Sequence, residues 1–288
     1  MREERGMGRW RAAAAVMVYL TAAAGAAEAA RDPLAAARQL YNAGDYSGAI
    51  TAAAQITQPH LVPAAKLVEG RARLERFRRE RADGDLIAAR SALGSVEPAA
   101  LAVRERHELV IGFAESLFLE GSFGASAELF ASVVDQPAAW PAAGPGGRDR
   151  LLEWWAGAMD REAQMARGAA RDEIFGRLRD RMARELEKEP ASPVAAYWLA
   201  AGARGAGDMD RAWDAAVAGW LRARLAGGRS RALSNDLDRL VRESIIPARA
   251  RRRADSLRDS TQLEAEMLEE WNELKTKWPL DSVITTRQ

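Results

Sequence analysis

The sequence contains no cysteine. That absence removes disulfides, thiolate nucleophiles, cysteine-bound zinc, iron–sulfur clusters and a lipid carried on an N-terminal cysteine. Histidine is almost as scarce, with only His60 and His107, so a multi-histidine metal site is excluded and both residues read as surface or helix-end positions. Strand-type runs of valine, isoleucine, threonine and aromatics are nearly missing, while alanine and arginine dominate. The balance points to helices throughout.

Motifs that carry chemistry are missing too. There is no G-x-x-x-x-G-K-[ST], no H-E-x-x-H, no G-x-S-x-G, no G-x-G-x-x-G and no calcium-loop spacing of acidic residues. The glycine-rich stretch AAGPGGRDR lacks the lysine that a phosphate loop requires, and adjacent carboxylates such as Glu269 and Glu270 read as a solvated helix face. The expectation is therefore a protein without catalytic residues, metal or cofactor.

What is present begins with a distinctive N-terminus. Arg2, Arg5, Arg9 and Arg11 form a basic head, an uncharged run extends from Ala12 to Ala27, and Ala27-Glu28-Ala29 offers a small-x-small cleavage site before Ala30. Residues 1–29 read as a secretory signal, with an uncleaved inner-membrane anchor through residues 12–27 as the alternative, since that run is just short of a spanning helix. Export to the periplasm or beyond is the expected location. Removing residues 1–29 takes away four arginines and three glutamates and leaves the remainder formally neutral. Neutrality argues against nucleic acid as a partner.

The stretch LYNAGDYSGAI introduces a break that returns. Counted from Gly44, the residues at +1, +2, +5, +9 and +12 are Asp45, Tyr46, Ala49, Ala53 and Ile56. From Gly84 the same offsets give Asp85, Leu86, Ala89, Leu93 and Val96; from Gly121, Ser122, Phe123, Ser126, Phe130 and Val133; from Gly207, Asp208, Met209, Ala212, Ala216 and Gly219. Glycine closes a helix in the left-handed conformation, and the Asp or Ser after it caps the next helix. A small residue at +5 lets two helices cross closely, and +5, +9 and +12 share one helical stripe. Each glycine is thus expected to be the corner of a helical hairpin. Asp32-Pro33, Glu97-Pro98 and Ser192-Pro193 read as proline-led helix starts, with Pro59, Pro98 and Pro137 closing units.

These residues resemble tetratricopeptide repeats, whose units of about 34 residues stack pairs of antiparallel helices. Here the glycines are 40, 37 and 86 residues apart, and RARLERFRRERADGD lengthens the second unit. The longest interval holds a further hairpin without the motif, with helices over 148–166 and 171–189. DQPAAWPAAGPGG reads as a linker, and two helices follow Gly227-Gly228, one from about Ser234 with Pro247 ending or kinking it and one from about Ser256 to Trp278. The organisation expected is a signal at 1–29, three hairpins over 30–135, a linker at 136–147, a degenerate and a fourth hairpin over 148–228, and C-terminal helices and a frayed tail over 229–288.

What the resemblance implies is an all-α, right-handed superhelix whose concave surface is lined by the first helix of each pair and holds a peptide or helix of another protein. Its groove positions fall on Arg38, Tyr41 and Asn42; on Arg78, Arg81 and Ala82; on Glu115, Phe118 and Leu119; and on Ala201, Arg204 and Gly205. Trp213 and Trp220 read as core, Trp154 and Trp155 as packed against the next helix or, for at least one of them, placed at an edge or groove, and Arg249, Arg251, Arg252 and Arg253 as a solvated cluster or a contact for anionic headgroups or an acidic partner. A non-catalytic envelope adaptor leads. A carbohydrate-processing envelope enzyme and a membrane-tethered structural element remain as alternatives.

Overall fold

A computed structural model describes residues 32–82, 84–227, 230–254 and 259–278. The proposed signal at 1–29 and the tail at 279–288 lie outside the described residues. Among the described residues every regular element is helical, and no helix is long and apolar enough to cross a membrane. The chain divides into two compact units: Ser122 ends the first, which also contains Ala138–Gly144, and the second holds Phe123–Pro137 and everything from Pro145. The division therefore falls at the third glycine corner, ahead of the expected linker.

In the first unit, α1 (Pro33–Ala43), α2 (Tyr46–Ala54), α3 (Val62–Glu80), α4 (Asp85–Gly94) and α5 (Val103–Leu119) each pack against the next. Alternate helices also touch, α1 with α3 and α3 with α5, so the first helices of successive pairs lie side by side. The second unit repeats this plan with α6 (Phe123–Val134), α7 (Gly147–Met165), α8 (Gly168–Lys188), α9 (Pro193–Gly205), α10 (Met209–Ala226) and α11 (Ser230–Leu240). Here α7 packs on α9 and α9 on α11, with α8 and α10 following their predecessors. The motif-free interval thus contains the two helices expected of it.

The corners explain the arrangement. Gly44 has φ 80°, donates to the Tyr41 carbonyl at 3.0 Å, and is followed by Asp45, whose amide reaches the Leu40 carbonyl at 3.0 Å. Gly121 repeats the pattern with Phe118 and Leu117 at 3.1 and 2.9 Å, and Gly207 with Arg204 and Ala203 at 3.1 and 2.8 Å. Three corners share one hydrogen-bond register. Asp45 and Asp208 then accept from the amides of Gly48 and Arg211, which caps the following helix as the sequence implies. An arginine from another helix donates to the glycine carbonyl at two of them, Arg79 at Gly44 and Arg252 at Gly207.

The stripe behind the corners is buried at every repeat: Ala49, Ala53 and Ile56; Ala89, Leu93 and Val96; Ser126, Phe130 and Val133; Ala212, Ala216 and Gly219. Because a Cβ at Gly121 would meet nothing within 4 Å, Gly121→Ala isolates the cost of the left-handed backbone, about 1–2 kcal/mol lost. Gly176, inside α8 and equally open, gives the opposite sign: Gly176→Ala gains about 0.5–1 kcal/mol. Urea unfolding of the two variants reads both.

The structure corrects several expectations. α3 stops at Arg81, which itself takes the left-handed conformation at φ 54°, so Gly84 (φ 77°) caps the start of α4 instead of ending α3. Asp85 is no cap either; it is buried, and Arg76 holds it with bonds of 2.7 and 2.6 Å. Glu97-Pro98 opens a 3-10 turn, Pro98–Ala100, which tucks Leu101 inward before α5 begins under a Glu105 cap on the Ala102 amide.

Pro247 does not end its helix. A π-turn over Val241–Ile245 widens the backbone ahead of it, and α12 (Ile246–Arg253) continues. The wider turn accommodates a residue with no N–H to give and a ring that crowds the preceding turn. α12 packs on the last helix, α13 (Ser260–Lys277). Residues 137–143 form a 3-10 segment with Ala139, Ala142 and Ala143 buried, so this part of the expected linker is ordered against its surroundings.

Candidate functional site: the faces of the first helices

In the first unit the face shared by α1, α3 and α5 is built around one arginine. Arg71 lies on the same stripe of α3 as Leu67 and Leu74, and only 6% of it is exposed. Its guanidinium sits 5.6 Å from the centre of the Tyr41 ring on α1, 3.7 Å from Glu115 Oε1 on α5, and donates to the Ala142 carbonyl at 3.0 Å. Burial by itself would lower its pKa, but Tyr41, Glu115, Glu108 and Glu75 reverse that, and the net direction is upward. The group stays charged inside the unit.

Around this centre stand several of the expected groove residues. Arg38 on α1 pairs with Glu105 at the start of α5, and Glu115 is 1% exposed against Arg71. Arg78 bonds Glu75 one turn back on α3 at 2.9 Å, Asn42 is exposed, and Phe118 is half-buried on α5. Arg81 departs from the expected set: as the left-handed residue closing α3 it lies over the Phe77 ring at 5.2 Å. With α3 ending there, the offsets that give Arg38, Tyr41 and Asn42 before Gly44 fall on Glu75, Arg78 and Arg79 before Arg81. Arg79 is spent on the first corner, stacking on Tyr46 at 4.6 Å.

Arg71 itself escaped sequence reasoning. It sits in a run of arginines and glutamates whose spacing suits pairing along one helix, which Arg73 and Glu69 do supply at 2.9 Å. The usable signal was an arginine between two leucines at helical spacing.

No family model, curated protein or solved structure matches the chain. The site therefore rests on its own geometry.

In the second unit the face of α7, α9 and α11 is different in chemistry. Burial pushes the Asp160 carboxyl upward against the pull of Arg161, Arg204 and a bond from Gln164. Burial also raises the Tyr197 phenol, with Asp236 and Asp160 adding to it. Arg204, expected in the groove, is thus brought near Asp160, whereas Ala201 is buried and Gly205 lies against Phe175. Trp198 meets Tyr197 edge-on at 5.0 Å. This face carries aromatics beside carboxylates and arginines.

Other candidates turn out to be architecture. Arg249 and Arg253 hold Asp210 at 3.0 and 2.9 Å while Arg252 serves the Gly207 carbonyl, so three of the four clustered arginines fasten α12 to the fourth corner. Trp155 is buried and Trp154 stacks on Phe130 at 5.6 Å. Trp213 and Trp220 are buried as expected. His60 is exposed, and His107 is half-buried near the start of α5. Among the described residues no group of His, Asp and Glu is arranged to hold a metal ion.

A buried carboxylate ties α7 to α8. Glu185, 1% exposed, accepts from Arg148 and from Arg181 at 2.8 Å, and Arg181 also grips Asp135 at 2.7 Å. Burial would raise its pKa, but the two arginines outweigh it and hold Glu185 below the ordinary glutamate value of 4.5. A lowered folded value means that this contribution is complete above the unfolded value and is lost as the pH falls through the folded one. Urea midpoints measured from about pH 6 to about pH 3 are expected to fall for the unaltered chain and to fall less steeply for Glu185→Gln.

Proposed function

We propose that the protein is a tetratricopeptide-like, right-handed superhelical scaffold of the bacterial cell envelope that binds another protein without catalysis. The observation that carries this reading is the common hydrogen-bond register at Gly44, Gly121 and Gly207, combined with first helices lying side by side in each unit. The corners at Gly44 and Gly207 each join two helices that pack on one another, and within each unit the row of first helices offers a surface to an extended chain or a partner helix. The N-terminal signal supports export, with retention by an uncleaved anchor as the alternative.

In this reading Arg38, Tyr41, Asn42 and Arg78 present guanidinium, phenol and amide groups on the first unit's face. Arg204 and Tyr197 do so on the second. Such donors suit carboxylates and peptide carbonyls. The test is capture from envelope extract by the full chain and by the Arg38→Ala/Asn42→Ala variant. Circular dichroism controls for folding. A partner recovered at least several-fold less by the folded variant supports the reading, and unaltered recovery contradicts it.

A further inference from the structure

Seven residues behave as if they belonged to someone else. Ala138–Gly144 is part of the first unit, although the chain before it and after it belongs to the second. The segment comes down on α3 and α5, where Arg71 donates to the Ala142 carbonyl at 3.0 Å and Arg104 to the Pro141 carbonyl at 3.3 Å. Its buried side chains are the methyl groups of Ala139, Ala142 and Ala143. Exposed residues flank it on both sides, and Gly144 and Gly146 at φ 79° and 97° supply the turn back.

The contacts that Arg71 and Arg104 make with the segment go to its main-chain oxygens, beside the buried methyl groups and a half-buried Trp140. A buried guanidinium needs acceptors, and here two neighbouring main-chain oxygens are read by two arginines on adjacent first helices. The fit is also incomplete. Arg71 Nε is buried without a hydrogen-bond partner, so an acceptor placed there by another occupant would improve on the present one.

We infer that Ala138–Gly144 is a built-in occupant of a peptide site on α3 and α5, and that the partner this site takes is a short alanine- and proline-rich segment in the same 3-10 turn, read through its carbonyls by Arg71 and Arg104. The inference rests on the scaffold reading above and names the chemistry of its ligand. Tethering gives the internal segment a high effective concentration, so a partner segment competes only after the internal one is displaced.

The probe is a fluorescein-labelled synthetic peptide, QPAAWPAAGP, corresponding to residues 136–145. Fluorescence anisotropy compares its binding to the unaltered chain and to a full chain in which residues 138–144 are replaced by a glycine-serine segment of equal length. The replaced chain is expected to bind at least about ten-fold more tightly, and Arg104→Ala in that background to weaken binding several-fold. Equal affinity, or no binding by a replaced chain that retains its helix content, overturns the inference. If the replacement does not fold, Ala139→Asp takes its place, since a charge at a fully buried methyl is expected to expel the segment, and circular dichroism checks that the helix content is kept. The same comparison then decides. Failure of the peptide alongside loss of capture by Arg38→Ala/Asn42→Ala removes this inference and leaves the scaffold reading standing.

Discussion

Replacing Arg71 with methionine is expected to lower stability by about 3–5 kcal/mol, because it withdraws the guanidinium from a carboxylate that stays buried. Glu115 is 1% exposed, and the lost side chain also served the Tyr41 ring and the Ala142 carbonyl. An exposed pair sets the contrast: Lys277→Ala on α13 gives up its surface ion pair with Glu273 and is expected to cost about 0–1 kcal/mol. The double change Arg71→Met/Glu115→Leu is expected to recover much of the loss, since an apolar pair of similar volume leaves no buried charge. Urea unfolding followed by circular dichroism measures all three. A loss under about 1 kcal/mol for Arg71→Met, or a double variant worse than the single, contradicts this account of the first unit.

Trp271→Ala is expected to be as damaging, at about 3–5 kcal/mol. The residue is 0% exposed on α13 and meets two tryptophans of α10 edge-on, Trp213 at 5.9 Å and Trp220 at 6.0 Å. Its indole N–H donates to Asp238 at 2.8 Å, where Lys275 also donates at 2.6 Å. Those bonds hold Asp238 below the ordinary aspartate range despite its partial burial. Trp271→Phe keeps an aromatic ring between the other two and is expected to cost clearly less than alanine. Thermal melting reads the order unaltered, phenylalanine, alanine; a melt unchanged by alanine would show that α13 does not close this end of the second unit.

The sequence was most legible where structure is set locally. The +5, +9 and +12 positions after each glycine follow the period of a single helix, and all are buried. The corners at Gly44 and Gly207 were legible for the same reason, a glycine followed by a capping aspartate, and Gly121 shares their hydrogen-bond register. Gly84 misled because glycine marks a left-handed residue without saying which helix it serves, and the true end of α3 is the left-handed Arg81. Proline was equally ambiguous: Pro33 and Pro193 start helices, Pro98 starts a 3-10 turn, and Pro247 follows a π-turn inside one.

The candidate site was legible only in part, because its partners are distant in sequence. Arg38 with Glu105, and Arg71 with Ala142, are contacts made by packing α1, α3 and α5 together. No spacing rule along one helix anticipates them. The arginines at 249–253 show the converse, since in a basic cluster that invites a binding role Arg249, Arg252 and Arg253 prove to be committed to Asp210 and the Gly207 carbonyl.

The central claim is that the first-helix face of each pair meets another protein. It is tested most directly by site-specific photocrosslinking in cells producing the full chain. A photoreactive residue is placed in turn at Asn42, exposed on α1, and at Thr51, exposed on α2. The account predicts a discrete crosslinked partner from position 42 and little or none from position 51. Equal crosslinking from both, or a partner trapped only from position 51, would contradict it.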